Sequence, residues 1–176
     1  MPETDIRQNS LKAWILAARP KTLAGAAVPV MIGIALAFAD SREYPQDTFS
    51  MTAAVLCFLF AFIMQIDANF INDFFDYAKG TDDIEKRLGP RRACAQGWIS
   101  TDAMKRAIAL TTCAACIIGL PLILYGGLEM ILIGCVCVVF CFLYTTHLSY
   151  MGLGDALVIV FFGIIPVCVS YYIQLQ

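Results

Sequence analysis

The chain has little charge. Charged residues make up 15% of its 176 residues, whereas about 25% is usual for a soluble domain. The charges that are present are concentrated at the N-terminus, in residues 40–47 and in residues 73–106. The net charge of −2 indicates little by itself, and no nucleic-acid partner is expected. Low charge, 60% hydrophobic residues and a mean hydropathy of +0.73 predict an integral membrane protein.

The sequence also lacks the features of a secreted, disulfide-bonded protein. Residues 1–10 are polar and are not followed by a short apolar core with a small-residue cleavage site, so no cleavable signal peptide is predicted. All the cysteines except Cys94 lie inside apolar runs, where a thiol behaves as a small hydrophobic group. The pair Cys113 and Cys116 is therefore interpreted as helix packing, not as a redox or metal site. Cys94 lies in a polar loop, where an accessible thiol is expected.

Five apolar segments are long enough to cross a bilayer as helices, which takes about 20 residues each. They cover residues 22–39, 48–75, 107–125, 130–146 and 156–176. The predicted fold is therefore an all-α, polytopic bundle of transmembrane helices. Three of these segments contain a proline, which membrane helices tolerate because neighbouring groups can satisfy the freed carbonyls.

The positions of lysine and arginine predict the orientation of the bundle. Short cytoplasmic loops of membrane proteins carry an excess of these residues. Basic residues precede the first segment and crowd the loop between the second and third, whereas the next loop has none. The N-terminus and the 77–105 loop are therefore predicted to face the cytoplasm.

Polar residues return abruptly at the end of the second segment. No charged residue occurs from Thr48 to Ile66. Because residues three and four apart share a helix face, the amides and carboxylates that follow are predicted to form one stripe: Gln65, Asn69, Asn72, Asp73 and Asp76. Ionisable groups near bilayer depth are costly and usually face a protein-lined cavity. The stripe is therefore predicted to be the chemical centre of the protein, whereas Asp67 points away from it and is assigned no role.

Acidic and basic groups follow the stripe closely. Gly80 permits a backbone turn that brings Asp82 back toward Asp76, and such a cluster of oxygen donors suits Mg²⁺. Arg91 and Arg92, on the next loop, can donate paired hydrogen bonds to phosphate oxygens. An acidic platform opposite a basic clamp is suited to bind a diphosphate ester and to assist the departure of its diphosphate.

A second class of function stays open on these residues. Acidic stripes on membrane helices also build cation pathways and proton relays, so a divalent-cation or proton-coupled transporter is the alternative. A transport pathway needs polar groups across the bilayer, whereas the polar residues of the second segment are confined to one end. The distribution of polar residues therefore favours an enzyme.

These motifs resemble those of a known family. The pattern Asn72-Asp73-x-x-Asp76-x-x-x-Gly80-x-Asp82 is similar to the first aspartate-rich motif of the UbiA superfamily of intramembrane prenyltransferases. Three further segments, residues 18–23, 89–100 and 150–155, resemble the MenA-like branch, the 1,4-dihydroxy-2-naphthoate polyprenyltransferases of menaquinone synthesis. The likeness runs from about Leu11 to the end of the chain.

The resemblance implies a reaction and its partners. A polyprenyl group would be transferred from polyprenyl diphosphate to 1,4-dihydroxy-2-naphthoate, with Mg²⁺ as cofactor and the inner membrane of the cell as location. Another aromatic acceptor within the same superfamily is the alternative. The resemblance assigns the metal to Asn72, Asp73, Asp76 and Asp82, and the diphosphate to Asn69, Lys79, Arg91 and Arg92.

The resemblance also implies two catalytic residues. Asp76 is one, and Tyr144 is the other, because the superfamily places a tyrosine near the reacting allylic carbon. The face of an aromatic ring can stabilise a developing cation there. A tyrosine of the interfacial aromatic belt is an equally good interpretation of Tyr144.

The sequence departs from the family after the fifth predicted span. The family has a second Asp-x-x-x-Asp motif on a later helix, whereas Asp155 is the last acidic residue here. The chain is therefore expected to be the N-terminal part of a nine-helix UbiA-like fold, truncated after the fifth helix. Its activity without the missing half is in question.

Overall fold

A computed structural model describes residues 6–43, 49–80, 91–146 and 154–175. Helices dominate these ranges and no strand occurs in them, so the predicted all-α class is confirmed. The α-helices are α1 (Leu11–Ala18), α2 (Pro20–Glu43), α3 (Met51–Ala78), α4 (Thr101–Gly119), α5 (Ile123–Gly126), α6 (Glu129–Thr146), α7 (Gly154–Ile159) and α8 (Ile165–Tyr172).

Four stretches of the described residues are long and apolar enough to cross a membrane. They are Pro20–Glu43, Met51–Ala78, Thr101–Gly126 and Ala156–Leu175, which correspond to four of the predicted spans. The predicted span 130–146 corresponds to α6, whose apolar part, Glu129–Tyr144, is shorter than the other four. The polytopic helical bundle is thus confirmed, and α6 is shorter than the four candidate spans.

Two of the spanning stretches are interrupted close to prolines. A 3₁₀ turn, Leu120–Leu122, joins α4 to α5 and contains Pro121. A π-helical turn, Val160–Ile164, joins α7 to α8, which has Pro166 in its first turn. Proline lacks the N–H that an α-helix needs, so the hydrogen-bond ladder changes near it.

The N-terminal segment forms a short helix that the hydropathy pattern does not predict. The side chain of Ser10 caps α1 by accepting from the backbone N–H of Ala13 at 3.4 Å. The helix ends at Ala18, and the next residue, Arg19, has a left-handed backbone with a φ of 52°. Pro20 then begins α2, as proline commonly does at a first helical position. The chain therefore turns sharply between α1 and α2.

The central helix is α3, which contacts α1, α2, α4, α6 and α8. At its polar end a buried cluster joins it to α1, to α4 and to the 91–99 loop, with the members Ala13, Ala17, Phe70, Ile71, Ala93, Cys94, Trp98, Ile99, Met104 and Ile108. The expectation that Cys94 is accessible is therefore wrong, because its side chain is packed in this cluster and only 6% exposed.

At the opposite end of the bundle, α2 crosses α8 closely. A Cβ atom placed on Gly33 would lie 2.1 Å from Ser170 Oγ and 2.4 Å from the carbonyl oxygen of Val167. The 3₁₀ turn after α8 also binds the start of α3, because the buried amide of Gln174 accepts from Ser50 N at 2.8 Å and donates to Ser50 O at 3.0 Å. These contacts fix α8 against both α2 and α3.

Candidate functional site

The polar residues of α3 do not form one stripe in the structure. Asn72 and Gln65 border a cavity between the helices. Asp73 is fully buried under the 91–99 loop, and Asp76 is 19% exposed at the end of the helix. The helix spacing is as predicted, but the elements packed around α3 give neighbouring polar residues different partners.

The cavity has a volume of about 620 Å³, within the range typical of ligand sites. Side chains from α2, α3, α4, α6, α7 and α8 line it, and most of them are apolar. Its polar lining includes Asn72 from α3 and Tyr144 from α6. Two of the predicted site residues, which are far apart in the sequence, thus line the same cavity.

Asp76 and Arg92 form an ion pair. Nη2 of Arg92 donates to Oδ2 of Asp76, and the Arg92 side chain is only 7% exposed. The sequence placed an acidic platform opposite a basic clamp, and the structure brings one member of each into direct contact. Lys79 and Arg91 are exposed at the same end of α3, whereas Asp82 lies outside the described residues.

Asp73 binds the backbone of the 91–99 loop. Its Oδ2 accepts from the N–H of Ala93 at 2.7 Å, and its Oδ1 accepts from the N–H of Cys94 at 2.8 Å. The carboxylate is completely buried. The prediction that Asp73 ligates metal is not tested by this geometry, but both of its oxygens have partners within the chain.

Asn69 binds the corner between α1 and α2. Its Nδ2 donates to the carbonyl of Ala18 at 2.9 Å and to Oγ1 of Thr22 at 3.0 Å, while its Oδ1 accepts from Gln65 at 3.4 Å. The diphosphate contact predicted for Asn69 also stays a prediction. Its amide hydrogens are used in holding α1 and α2 against α3.

Asp67 has a role that the sequence interpretation missed. It is fully buried, and its two oxygens accept from Thr111 Oγ1 at 2.5 Å and from Thr112 Oγ1 at 2.7 Å. The bonds join α3 to α4 within the bundle. A carboxylate inside an apolar run needs a polar partner on a neighbouring helix, and the adjacent threonines of the next span were the signal that could have identified one.

The oxygen donors near the end of α3 fit Mg²⁺ only in part. Within the ranges that the structure covers, no three His, Cys, Asp or Glu side chains converge as a metal-binding group. Asn72 and Asp76 are four residues apart and offer an amide oxygen and a carboxylate at adjacent turns. Mg²⁺ usually takes one or two carboxylates together with waters and substrate phosphates, so these donors suit the ion if a diphosphate supplies the remaining oxygens.

Comparison with known proteins identifies a family. The sequence profile of the UbiA prenyltransferase family matches residues 26–176. The matched region includes Asn72, Asp76, Arg92 and Tyr144.

Curated relatives carry related names. The chain is 33% identical over 180 residues to 1,4-dihydroxy-2-naphthoate octaprenyltransferase of Escherichia coli, covering 97% of this chain and 56% of that protein. It is 37% identical over 175 residues to the protein of the same name in Haemophilus influenzae, covering 94% and 55%. Human UbiA prenyltransferase domain-containing protein 1 is 28% identical over 189 residues, covering 99% and 50%. The chain thus spans about half the length of these relatives.

Proposed function

The chain belongs to the UbiA prenyltransferase family, and we propose that the protein transfers a polyprenyl group from its diphosphate to 1,4-dihydroxy-2-naphthoate. The relatives from Escherichia coli and Haemophilus influenzae are named for that acceptor. The observation that carries the proposal is the cavity. Most of its walls are apolar, with Asn72 and Tyr144 as polar members, and the ion pair of Asp76 and Arg92 lies one helical turn beyond Asn72. An apolar chamber beside charged groups matches a substrate with a hydrocarbon tail and a diphosphate head.

The cavity would receive the isoprenoid tail. Its lining includes Phe60, Phe140, Phe161 and Ile165, which offer apolar surface to a branched hydrocarbon. Burying apolar surface stabilises a complex by about 25 cal/mol per Å². The tail would thereby anchor the substrate, while the diphosphate would be left at the polar end of α3, which we propose faces the cytoplasm.

The residues at this end have separate tasks in the proposed reaction. Arg92, with Lys79 and Arg91, would bind the diphosphate oxygens through charge-assisted hydrogen bonds. Asn72, Asp76 and Asp82 would hold Mg²⁺, which when bound neutralises charge on the leaving diphosphate. Tyr144 would place its ring beside the allylic carbon as that carbon gains positive charge.

A transfer assay tests the proposed function. Membranes containing the protein are incubated with a polyprenyl diphosphate and 1,4-dihydroxy-2-naphthoate, with Mg²⁺ or with a chelator. We expect prenylated naphthoate only when Mg²⁺ is present. Product formation that is unaffected by chelation would contradict the metal assignment. Prenylation of a different aromatic compound alone would favour the other acceptor, and cation flux into proteoliposomes without transfer would favour a transporter.

Substitution of Tyr144 distinguishes a catalytic role of its aromatic ring from a role in the interfacial aromatic belt. If the π-face stabilises the developing cation, Tyr144→Phe should retain kcat within about threefold, whereas Tyr144→Leu should lower kcat by about tenfold, the equivalent of a moderate cation–π interaction. The KM for the diphosphate should change little in both variants. Equal kcat values for the phenylalanine and leucine variants would show that the ring has no part in the reaction.

A further inference from the structure

We infer that Asp73 is a positioning residue that seats the 91–99 loop on α3 and thereby presents Arg92 to Asp76. Asp73 belongs to the aspartate-rich motif, and the resemblance assigned it to metal. We assign Asp73 a structural role instead. Diphosphate binding by Arg92 is part of the proposed function, whereas the seating of the loop does not depend on it.

The first argument is the burial of the Asp73 carboxylate. Each of its oxygens accepts a backbone N–H, from Ala93 and from Cys94, at 2.7 and 2.8 Å. Hydrogen bonds to an ionised acceptor are about twice as strong as neutral ones. The side chain is 0% exposed, and Mg²⁺ gives up its hydration waters reluctantly. The site therefore suits a pair of amides better than a hydrated ion.

The second argument is the position of Arg92 in the chain. The N–H of Ala93 lies in the peptide group that joins Arg92 to Ala93, and this group is planar. The hydrogen bond from Ala93 N–H to Asp73 therefore orients this peptide group. The group contains the Cα atom of Arg92, from which the Arg92 side chain extends. Arg92 then reaches Asp76, three residues after Asp73 on the same helix. Two carboxylates of α3 thus hold one loop, one by its backbone and the other by a guanidinium group.

The third argument is the direction of the backbone hydrogen bonds of the loop. Its own hydrogen bonds close local turns, such as Trp98 N to Ala93 O at 2.9 Å and Gly97 N to Cys94 O at 3.0 Å. Gly97 has a φ of +70°, a conformation that favours glycine. On the side of α1, the N–H of Asn9 donates to Trp98 O at 2.7 Å. Asp73 supplies the corresponding attachment to α3.

Labelling of Cys94 tests the seating of the loop. The Cys94 thiol is 6% exposed and follows one residue after Ala93, so it reports release of the loop. In Asp73→Asn, one oxygen acceptor is replaced by an NH₂ that cannot accept a backbone N–H. We expect the rate of Cys94 labelling by a hydrophilic maleimide to rise at least about tenfold. The loss of a hydrogen bond to a charged group shifts an opening equilibrium by about this factor or more.

Three controls make the labelling specific. Asp102→Asn makes the same change at an exposed acid in the first turn of α4 and should label as wild type. Asp76→Asn removes only the guanidinium contact and keeps the two amide bonds of Asp73, so it should raise Cys94 labelling by less than Asp73→Asn does. Cys57, which is also 6% exposed but lies near the other end of α3, reports global unfolding. Unchanged Cys94 labelling in Asp73→Asn, or equal exposure of Cys94 and Cys57, would overturn the inference.

A double-mutant cycle tests whether Asp73 acts through Arg92. Binding of inorganic diphosphate in the presence of Mg²⁺ is measured for Asp73→Asn, Arg92→Ala and the double variant. If Asp73 acts through Arg92, the double variant should bind within about twofold of Arg92→Ala, because residues that share one interaction are not additive. Additive losses would overturn this role. Absence of diphosphate binding in the wild type would overturn the proposed function, while the labelling result would still decide whether Asp73 seats the loop.

Discussion

Replacing Asp76 with asparagine should lower the rate of polyprenyl transfer by about 100-fold or more, the size of effect seen when one preorganised electrostatic contact at a reaction centre is lost. Asp76 is the partner of Arg92, which is only 7% exposed. Removing the negative charge takes a carboxylate partner away from a largely buried guanidinium group, which is costly. It also removes the carboxylate that we propose for Mg²⁺, so the KM for the diphosphate should rise while kcat falls.

The control for this prediction is Asp102→Asn. The Asp102 side chain is 84% exposed, and its contact with Lys105, at 3.8 Å, is a surface ion pair. Such pairs contribute little to stability, so the control variant should transfer at the wild-type rate. Transfer assays on membranes with matched protein levels compare the two variants. Wild-type turnover by Asp76→Asn would refute both the metal assignment and the role of the ion pair.

Replacing Gly33 with alanine should destabilise the bundle by about 3 kcal/mol or more, at the upper end of the cost of overpacking. The added Cβ would lie 2.1 Å from Ser170 Oγ and 2.4 Å from the carbonyl oxygen of Val167. The Val167 atom is backbone, so it cannot withdraw without moving α8, and Ser170 is buried, so its hydroxyl has little room to rotate away. The midpoint of thermal unfolding of the purified protein in detergent measures the loss.

Gly25 provides a matched control on the same helix. A Cβ atom there would meet no atom within 4 Å. Alanine favours helix over glycine by about 1 kcal/mol, so Gly25→Ala should leave the midpoint unchanged or raise it. If Gly33→Ala and Gly25→Ala have the same midpoint, α2 and α8 do not cross as closely as the structure shows.

The helical architecture could be predicted because it depends on local properties of the sequence. The predicted spans 22–39 and 48–75 correspond to Pro20–Glu43 and Met51–Ala78. A helix needs about 20 apolar residues to span the bilayer, and the length of an apolar run can be counted directly in the sequence. The short helix α1 was missed because it is too short to give a spanning signal, and its ends depend on the cap at Ser10 and the left-handed Arg19.

The candidate site could be predicted only in part. Periodicity grouped Asn69, Asn72, Asp73 and Asp76 on one side of α3, and two of them, Asn72 and Asp76, stay in the proposed ligand set. Periodicity could not show that Asn69 binds the α1–α2 corner, or that Asp73 binds amides 20 and 21 residues further along the chain. Asp67 was assigned no role for the same reason, because its partners Thr111 and Thr112 lie on another helix.

The sequence alone determined that this is a bundle of membrane helices whose second span, α3, is polar at one end, because hydrophobic length and the spacing of polar residues are properties of a single segment. The tertiary structure decided which carboxylate meets a guanidinium, which meets backbone amides and which meets hydroxyl groups. Three aspartates on one helix differ in these roles because each faces a different neighbour: Asp76 faces Arg92, Asp73 faces the 91–99 loop and Asp67 faces α4. The physical reason is that packing, not local sequence, places a partner opposite each side chain.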